Sequence, residues 1–126
     1  MHTPSELLSL YENHFIQESF RKDPKGLYDP ARHIMSMKSK KIRPLLCLAA
    51  CNMFSDDVSS AMPGAHAVEI FHNFTLVHDD IMDQADLRRG IETVHKKFGI
   101  NKAILAGDVM FSFAYEYLLA LPDSVA

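Results

Sequence analysis

The stretch that decides the fold reads MPGAHAVEIFHNFTLVHDDIMDQAD and covers residues 62–86. It predicts one long helix, from about Ser59 to Gln84. Pro63 falls in the first turn, where a missing backbone N–H costs little.

Helical patterns fill most of the sequence on either side. Near the start of the chain, Asp29 is a candidate N-cap, with Pro30 as the first helical residue behind it. The last helix is apolar nearly all round, which predicts burial on several sides. No stretch alternates as a strand would, so the predicted class is all-α, a helical bundle. The five shorter predicted helices span about Pro4–Phe20, Asp29–Met35, Pro44–Phe54, Thr93–Phe98 and Lys102–Leu121.

Composition narrows the function classes. The chain has 126 residues, of which 48% are apolar and 23% charged, and this balance is typical of one globular domain. A net charge of −3 provides no basic field for nucleic acid. No apolar run is long enough to span a bilayer, and the first residues lack a signal-peptide pattern. A cytoplasmic location is therefore expected, with Cys47 and Cys51 as small helix-packing residues.

Four carboxylates crowd the end of the long helix, at Asp79, Asp80, Asp83 and Asp86. Like charges four residues apart cost about 0.2–0.5 kcal/mol per pair, and no lysine is interspersed here to offset the repulsion. Asp79 and Asp83 share one face, about 6 Å apart along the axis, whereas Asp80 points about 100° away. Mg²⁺ is typically held by one or two carboxylates plus substrate phosphates, so this pair is a candidate magnesium site.

Histidine placement extends the same face. His72 lies seven residues before Asp79, two helical turns away, and is therefore aligned with the carboxylates. His66 and His78 are not aligned in this way, and ordinary structural roles are expected for them.

Two basic clusters flank the acidic helix in sequence. Arg88 and Arg89 could simply neutralise the aspartates, or they could bind phosphate oxygens through their guanidinium groups. The Lys40–Pro44 cluster could be an exposed charge run, or a second phosphate clamp at a helix N-terminus. Taken together, two anion-binding sets around one carboxylate pair indicate two phosphorylated substrates.

These motifs resemble the N-terminal half of the trans-isoprenyl diphosphate synthases, also called polyprenyl synthetases. The resemblance covers nearly the whole chain from about Tyr28, and terpene cyclases share only its aspartate motif. The Lys40/Arg43 clamp argues against a cyclase, which binds a single diphosphate. The segments that carry the resemblance are Lys40–Pro44, His72, Asp79–Asp83, Arg88–Gly90 and Ala106–Asp108.

The resemblance implies a role for each matching residue. Asp79 and Asp83 would coordinate Mg²⁺ that bridges to an allylic diphosphate, and Arg88 would bind the same diphosphate; these three would form the catalytic set. The allylic diphosphate would ionise, and the double bond of isopentenyl diphosphate would attack the resulting cation. A homodimer is expected. The implied ligands of isopentenyl diphosphate are Lys40, Arg43, His72 and Arg89.

Two departures from the family pattern limit this expectation. Ser39 stands where the family usually has glycine, and a second aspartate-rich motif is absent. Residues 1–126 are therefore expected to be the N-terminal portion of one polyprenyl synthetase domain, inactive alone. The alternatives are a non-catalytic subunit that binds diphosphate and Mg²⁺ within a heteromeric prenyltransferase, or a purely structural bundle.

Product length is predicted from the residues just before the aspartate motif. Phe74 and Thr75 lie one turn before Asp79, where the resemblance to the family implies that the growing tail descends. Phe74 could form a floor for that tail or simply pack against a neighbouring helix, and the sequence favours neither. If it forms the floor, the product should contain roughly three to four isoprene units.

Overall fold

The structure, a computed structural model, describes residues 1–14 and 23–123, and within them the all-α prediction is confirmed. The helices are α1 (Pro4–His14), α2 (Lys25–Met35), α3 (Ile42–Asn52), α4 (Met62–Met82), α5 (Val94–Phe98) and α6 (Ile100–Leu119). A short 3-10 turn, Ser59–Ala61, precedes α4. The two-residue strands β1 (Leu87–Arg88) and β2 (Ile91–Glu92) form an antiparallel hairpin.

The chain divides into two compact units. In the described chain the first unit comprises residues 1–14, 40–69 and 113–123. Helix α1 packs against α3 there, and the Thr3 hydroxyl accepts a hydrogen bond from the Glu6 amide at 3.2 Å, which caps the start of α1. Burial of apolar side chains provides most of the stability of such a contact. The core residues of this unit are Leu7, Tyr11, Leu48, Val58, Met62 and Ala65.

The second unit comprises described residues 23–39 and 70–112. Helix α2 packs against α5, and Ile34 and Val94 are among the buried side chains of these two helices. Phe71, Phe74 and Phe111 form an aromatic cluster, with the Phe74 ring centroid 5.0 Å from that of Phe71 and 5.4 Å from that of Phe111. Edge-to-face pairs at these distances are favourable.

Most of the predicted helix ends agree with the structure. The long helix lies where it was predicted, and Pro63 is its second residue. Helix α5 ends at Gly99, whose φ of +95° favours glycine, as a C-terminal stop requires. The predicted continuation of the first helix to Phe20 lies outside the described residues.

The predicted start of α2 was wrong. The helix begins at Lys25 and carries Pro30 in its interior, so Asp29 is a helical residue and not the N-cap. Asp29 instead pairs with Arg32, one turn further on. Pro30 removes one backbone hydrogen bond, to the carbonyl of Gly26, yet the buried apolar face of α2 keeps the helix continuous. Tertiary packing has overridden a local stop signal.

The apolar surface of α6 is only partly covered in this chain. Ala103, Ala106 and Met110 are buried, whereas Leu105, Tyr115 and other large side chains are more than a third exposed. Among the described residues, none of the helices combines the length and the apolarity needed to cross a bilayer.

Candidate functional site

Helix α4 ends in a geometry that presents its last carboxylates to solvent. The amide of Ala85 donates to the carbonyl of Asp80 at 3.0 Å, and that of Gln84 donates to Ile81 at 3.2 Å. With Gln84 at a φ of +54°, these two bonds form a Schellman motif. Asp83 is still bonded through its amide to the carbonyl of Asp79 at 2.8 Å, so the two residues keep helical spacing, and both are exposed.

Asp80 faces a different way and binds an arginine. Its two carboxylate oxygens accept hydrogen bonds from Nε and Nη2 of Arg88, each at 2.8 Å. Asp80 is only 4% exposed, so the pair is largely shielded from water. The hydrogen bond to Asp80 raises the pKa of Arg88 above its ordinary value, and the charges of Asp79 and Asp83 add to this effect.

Arg88 reaches Asp80 because the chain turns back in the hairpin, which the sequence analysis missed. Leu87 pairs with Glu92, and Arg88 pairs with Ile91. The two turn residues, Arg89 and Gly90, have φ values of +53° and +76°, the signature of a type I′ turn. The available signal was the Arg-Gly dipeptide, which is weaker than Asn-Gly because arginine rarely adopts positive φ. Arg89 is exposed in this turn.

Several hydrogen bonds hold the hairpin in place. The Thr93 hydroxyl donates to the Ala85 carbonyl at 2.8 Å, and the Thr93 amide donates to the carbonyl of Asp86 at 3.0 Å. His33 on α2 donates from Nε2 to the Glu92 carbonyl at 2.7 Å. The hairpin is therefore fixed both to the end of α4 and to α2. Sequence reasoning assigned no such role to Thr93 or His33, because His33 contacts a residue distant in the chain and the contacts of Thr93 depend on the unpredicted hairpin.

The four aspartates consequently separate into two kinds. Asp80 pairs with Arg88, and Asp86 lies 3.2 Å from Nζ of Lys96. Within the part of the chain that the structure describes, no ion pair joins Asp79 or Asp83 to a basic side chain. Arg88 thus neutralises one aspartate, as one of the two sequence interpretations expected, and Lys96 pairs with another.

The remaining pair fits the chemistry of magnesium. Across residues 1–14 and 23–123, no three histidine, cysteine or acidic side chains converge to hold an ion. Two exposed carboxylates one turn apart suit Mg²⁺, which keeps several waters and takes substrate phosphates as further ligands. Asp79 and Asp83 would be those ligands.

His78 positions the helix that carries the aspartates. Its Nε2 donates to the Ile104 carbonyl of α6 at 3.2 Å, and its ring lies against Gly107. A methyl group at Gly107 would fall 2.6 Å from Cδ2 and 2.9 Å from Cε1 of that ring. This contact explains why the segment 106–108 contains glycine, and it confirms a structural role for His78.

His72 lies on α4, two turns before Asp79, and is half-buried. Phe74 joins the aromatic cluster and also contacts His78, with ring centroids 5.3 Å apart. It therefore packs against α6 through Phe111, in the way that one of the two sequence interpretations expected.

The first basic cluster belongs to the first unit, whereas His72 and Arg89 belong to the second. Lys40 and Arg43 are exposed. Lys41, between them, has a φ of +51° and precedes the first turn of α3, and its Nζ lies 3.4 Å from Oε1 of the buried Glu69. No side chain caps this end of α3. Lys41 is thus an internal anchor, while Lys40 and Arg43 remain accessible to an anion.

Comparison with known proteins places this geometry in context. A family model described as polyprenyl synthetase matches residues 24–126. A geranylgeranyl pyrophosphate synthase of Geoglobus acetivorans is 46% identical over 113 residues, which cover 89% of this chain and 35% of that protein. The large subunit 1 of a chloroplastic heterodimeric geranylgeranyl pyrophosphate synthase of Arabidopsis thaliana is 44% identical over 105 residues, covering 82% and 28%.

Solved structures agree with these sequence matches. A crystal structure of a geranylgeranyl pyrophosphate synthase superposes with a TM-score of 0.89 at 45% identity, covering 98% of this chain and 38% of that one. A heptaprenyl diphosphate synthase of Staphylococcus aureus has a TM-score of 0.88 at 26% identity, covering 98% and 39%. The chain therefore spans about a third of the length of the relatives that it matches.

Proposed function

Because this chain belongs to the polyprenyl synthetase family, we propose that it forms the N-terminal portion of a prenyltransferase domain. The complete protein condenses isopentenyl diphosphate with an allylic diphosphate and yields a longer polyprenyl diphosphate. One observation carries the proposal: of the four clustered aspartates, Asp79 and Asp83 are the two that lie outside the ion pairs described above, and both are exposed and within electrostatic range of Arg88.

The allylic diphosphate is assigned to the end of α4. Asp79 and Asp83 would hold Mg²⁺ beside it, and Arg88 would donate hydrogen bonds to its oxygens. When bound, Mg²⁺ supplies Lewis-acid stabilisation of the departing pyrophosphate. Arg88 contributes a fixed positive charge at the same leaving group, which lowers the barrier to breaking the allylic C–O bond.

Isopentenyl diphosphate is assigned to the basic residues with exposed or half-buried side chains, namely Lys40, Arg43, His72 and Arg89. Their positive charges and hydrogen-bond donors orient the second substrate. The double bond then attacks the allylic cation to form the new C–C bond, and loss of one proton restores neutrality. Exclusion of water protects the cation from quenching.

Product length is assigned to Phe74. The aromatic cluster holds its ring in place one turn before Asp79, so the growing tail meets a bulky side chain early. A product of roughly three to four isoprene units follows if the tail descends along α4. The names of the relatives, several of them geranylgeranyl pyrophosphate synthases, support a product in this range.

The magnesium assignment is tested by calorimetric titration of the chain with an allylic diphosphate analogue, with and without Mg²⁺. We expect Mg²⁺ to tighten binding and Asp79→Asn to abolish most of that gain, since one of two carboxylate ligands is lost. Glu116→Gln removes an exposed charge from α6 and is the matched control. Unchanged magnesium dependence in Asp79→Asn would overturn the assignment.

A second candidate function is a non-catalytic subunit of a heteromeric prenyltransferase. It is favoured by the heterodimeric relative. The assay is turnover of isopentenyl diphosphate by the purified chain, alone and with a complete family member. We propose that the assembled enzyme is a cytoplasmic homodimer, so activity that appears only with a different chain would favour the subunit.

A further inference from the structure

We propose that Asp80 is a positioning residue, which holds the Arg88 guanidinium in the orientation that the allylic diphosphate requires and does not itself bind the metal. The inference rests on the proposed function and adds a role for the buried aspartate of the cluster, which neither the magnesium nor the substrate assignments use.

Asp80 uses one edge of the Arg88 guanidinium and leaves the other edge open. Asp80 takes Nε–H and one N–H of Nη2, both at 2.8 Å. Of the five N–H donors of an arginine, three are not used by Asp80, and they include the fork formed by Nη1 and Nη2. That fork has the spacing that carboxylate and phosphate oxygens match. An arginine held by one edge can therefore present the other edge to a diphosphate.

Burial makes Asp80 a fixed support. Its side chain is 6% exposed and that of Arg88 is 26% exposed, so the pair lies at a boundary with its carboxylate inside and its guanidinium partly accessible. A buried carboxylate is costly unless fully paired, so Asp80 strongly favours the one guanidinium orientation that satisfies both of its oxygens.

The backbone on both sides of the pair is equally constrained. Asp80 accepts the Ala85 amide at its carbonyl, within the Schellman motif that ends α4. Arg88 lies in β1, whose hairpin is held by Thr93 to the same Ala85. Both ends of the ion pair are thus tied to one short segment, and Arg88 has little freedom to follow a ligand by itself.

A pure charge effect and a positioning role would change anion binding by Asp80→Asn in opposite directions. If only net charge mattered, removing a negative charge beside an anion site would tighten binding. If Asp80 were a metal ligand, the substitution would raise the Mg²⁺ concentration needed for half-maximal binding. Positioning predicts weaker anion binding with an unchanged magnesium requirement, because Arg88 loses its orientation while Asp79 and Asp83 are intact.

The experiment titrates the whole chain with inorganic pyrophosphate at several Mg²⁺ concentrations. We expect Asp80→Asn to raise the dissociation constant for pyrophosphate about tenfold, in the range found when a supporting partner of a ligand is removed. Asp86→Asn removes the same charge from the neighbouring exposed pair with Lys96 and should leave it within about twofold. Binding by Asp80→Asn that is equal or tighter, or a raised magnesium requirement, would overturn the inference.

A spectroscopic readout keeps the test independent of binding and of any folding defect in the variant. In the unaltered chain, the Nε–H resonance of Arg88 should be resolved and protected from exchange with water, because Asp80 holds that proton. An Arg88 Nε–H that exchanges as fast as that of the exposed Arg89 contradicts the inference outright. A protected Arg88 resonance in a chain that binds no pyrophosphate refutes the proposed function and supports the pair.

Discussion

Replacing Gly107 with alanine should destabilise the chain, although alanine is the better helix former. The added methyl group would lie 2.6 and 2.9 Å from two atoms of the His78 ring and closer still to Nε2. Carbon atoms do not approach so closely, so the ring must rotate away. That rotation breaks the hydrogen bond from Nε2 to the Ile104 carbonyl, which is 3.2 Å long.

Two opposing contributions determine how much Gly107→Ala changes the free energy of unfolding. Overpacking of a well-filled contact costs about 1–3 kcal/mol. Replacing a helical glycine by alanine returns roughly 0.8–1.0 kcal/mol. The net loss in the free energy of unfolding is therefore about 1 kcal/mol, with an upper bound near 2, and the melting temperature should fall by about 3–8 °C for a domain of this size.

Gly64 provides a matched control, because it is also a helical glycine. A methyl group there meets its nearest atom, Sγ of Cys47, at 3.5 Å, which is ordinary van der Waals contact. Gly64→Ala should leave the melting temperature unchanged or raise it. His78→Ala removes the obstructing ring, so Gly107→Ala in that background should cost nothing. Equal melting temperatures for Gly107→Ala and Gly64→Ala, or no rescue by His78→Ala, would refute the reasoning.

Three further predictions concern other contacts. Lys41→Met should lower the free energy of unfolding, measured by urea titration, by about 1–3 kcal/mol, because it leaves the buried Glu69 carboxylate without its ammonium partner. Lys40→Met is the control and should change the free energy of unfolding by less than about 0.5 kcal/mol. Burial of His66, reinforced by His14, lowers the pKa of His66 to about 4. Its contribution to stability is therefore complete above pH 6.5 and is lost as the pH falls towards 4. His66→Phe should make the melting temperature less dependent on pH between 4 and 6.5, and an unchanged dependence would contradict this. Phe74→Ala in an active full-length enzyme should lengthen the product, and identical chromatograms from both enzymes would exclude Phe74 as the floor.

Helices were predictable from the sequence because their signals are local. The stop at Gly99 and the tolerance of Pro63 in a first turn each depend on a few neighbouring residues. The start of α2 was not predictable, since the local signal at Pro30 is opposed by packing between segments far apart in the chain. The hairpin escaped notice for a similar reason, because its two-residue strands are too short for any alternation to show.

Helical geometry alone places Asp79 and Asp83 on one face, so the sequence was sufficient to predict this pair as a magnesium site. The ion pair of Asp80 with Arg88 required the structure, because Arg88 is reached only through a turn that the sequence did not reveal. Helical spacing predicts that Asp80 points away from Asp79 and Asp83, but it does not predict which residue Asp80 contacts.

The same turn explains how two consecutive arginines can serve two different anions. Side by side in sequence, Arg88 and Arg89 look like one basic patch. In the structure Arg88 lies in a strand, half-buried against Asp80, whereas Arg89 occupies the left-handed first position of the turn and is exposed. A hairpin sends consecutive side chains in different directions, so the two guanidinium groups are poorly placed to hold one phosphate together. Arg88 neutralises Asp80, whereas Arg89 points elsewhere, and this separation supports the proposed assignment of Arg88 to the allylic diphosphate and of Arg89 to isopentenyl diphosphate.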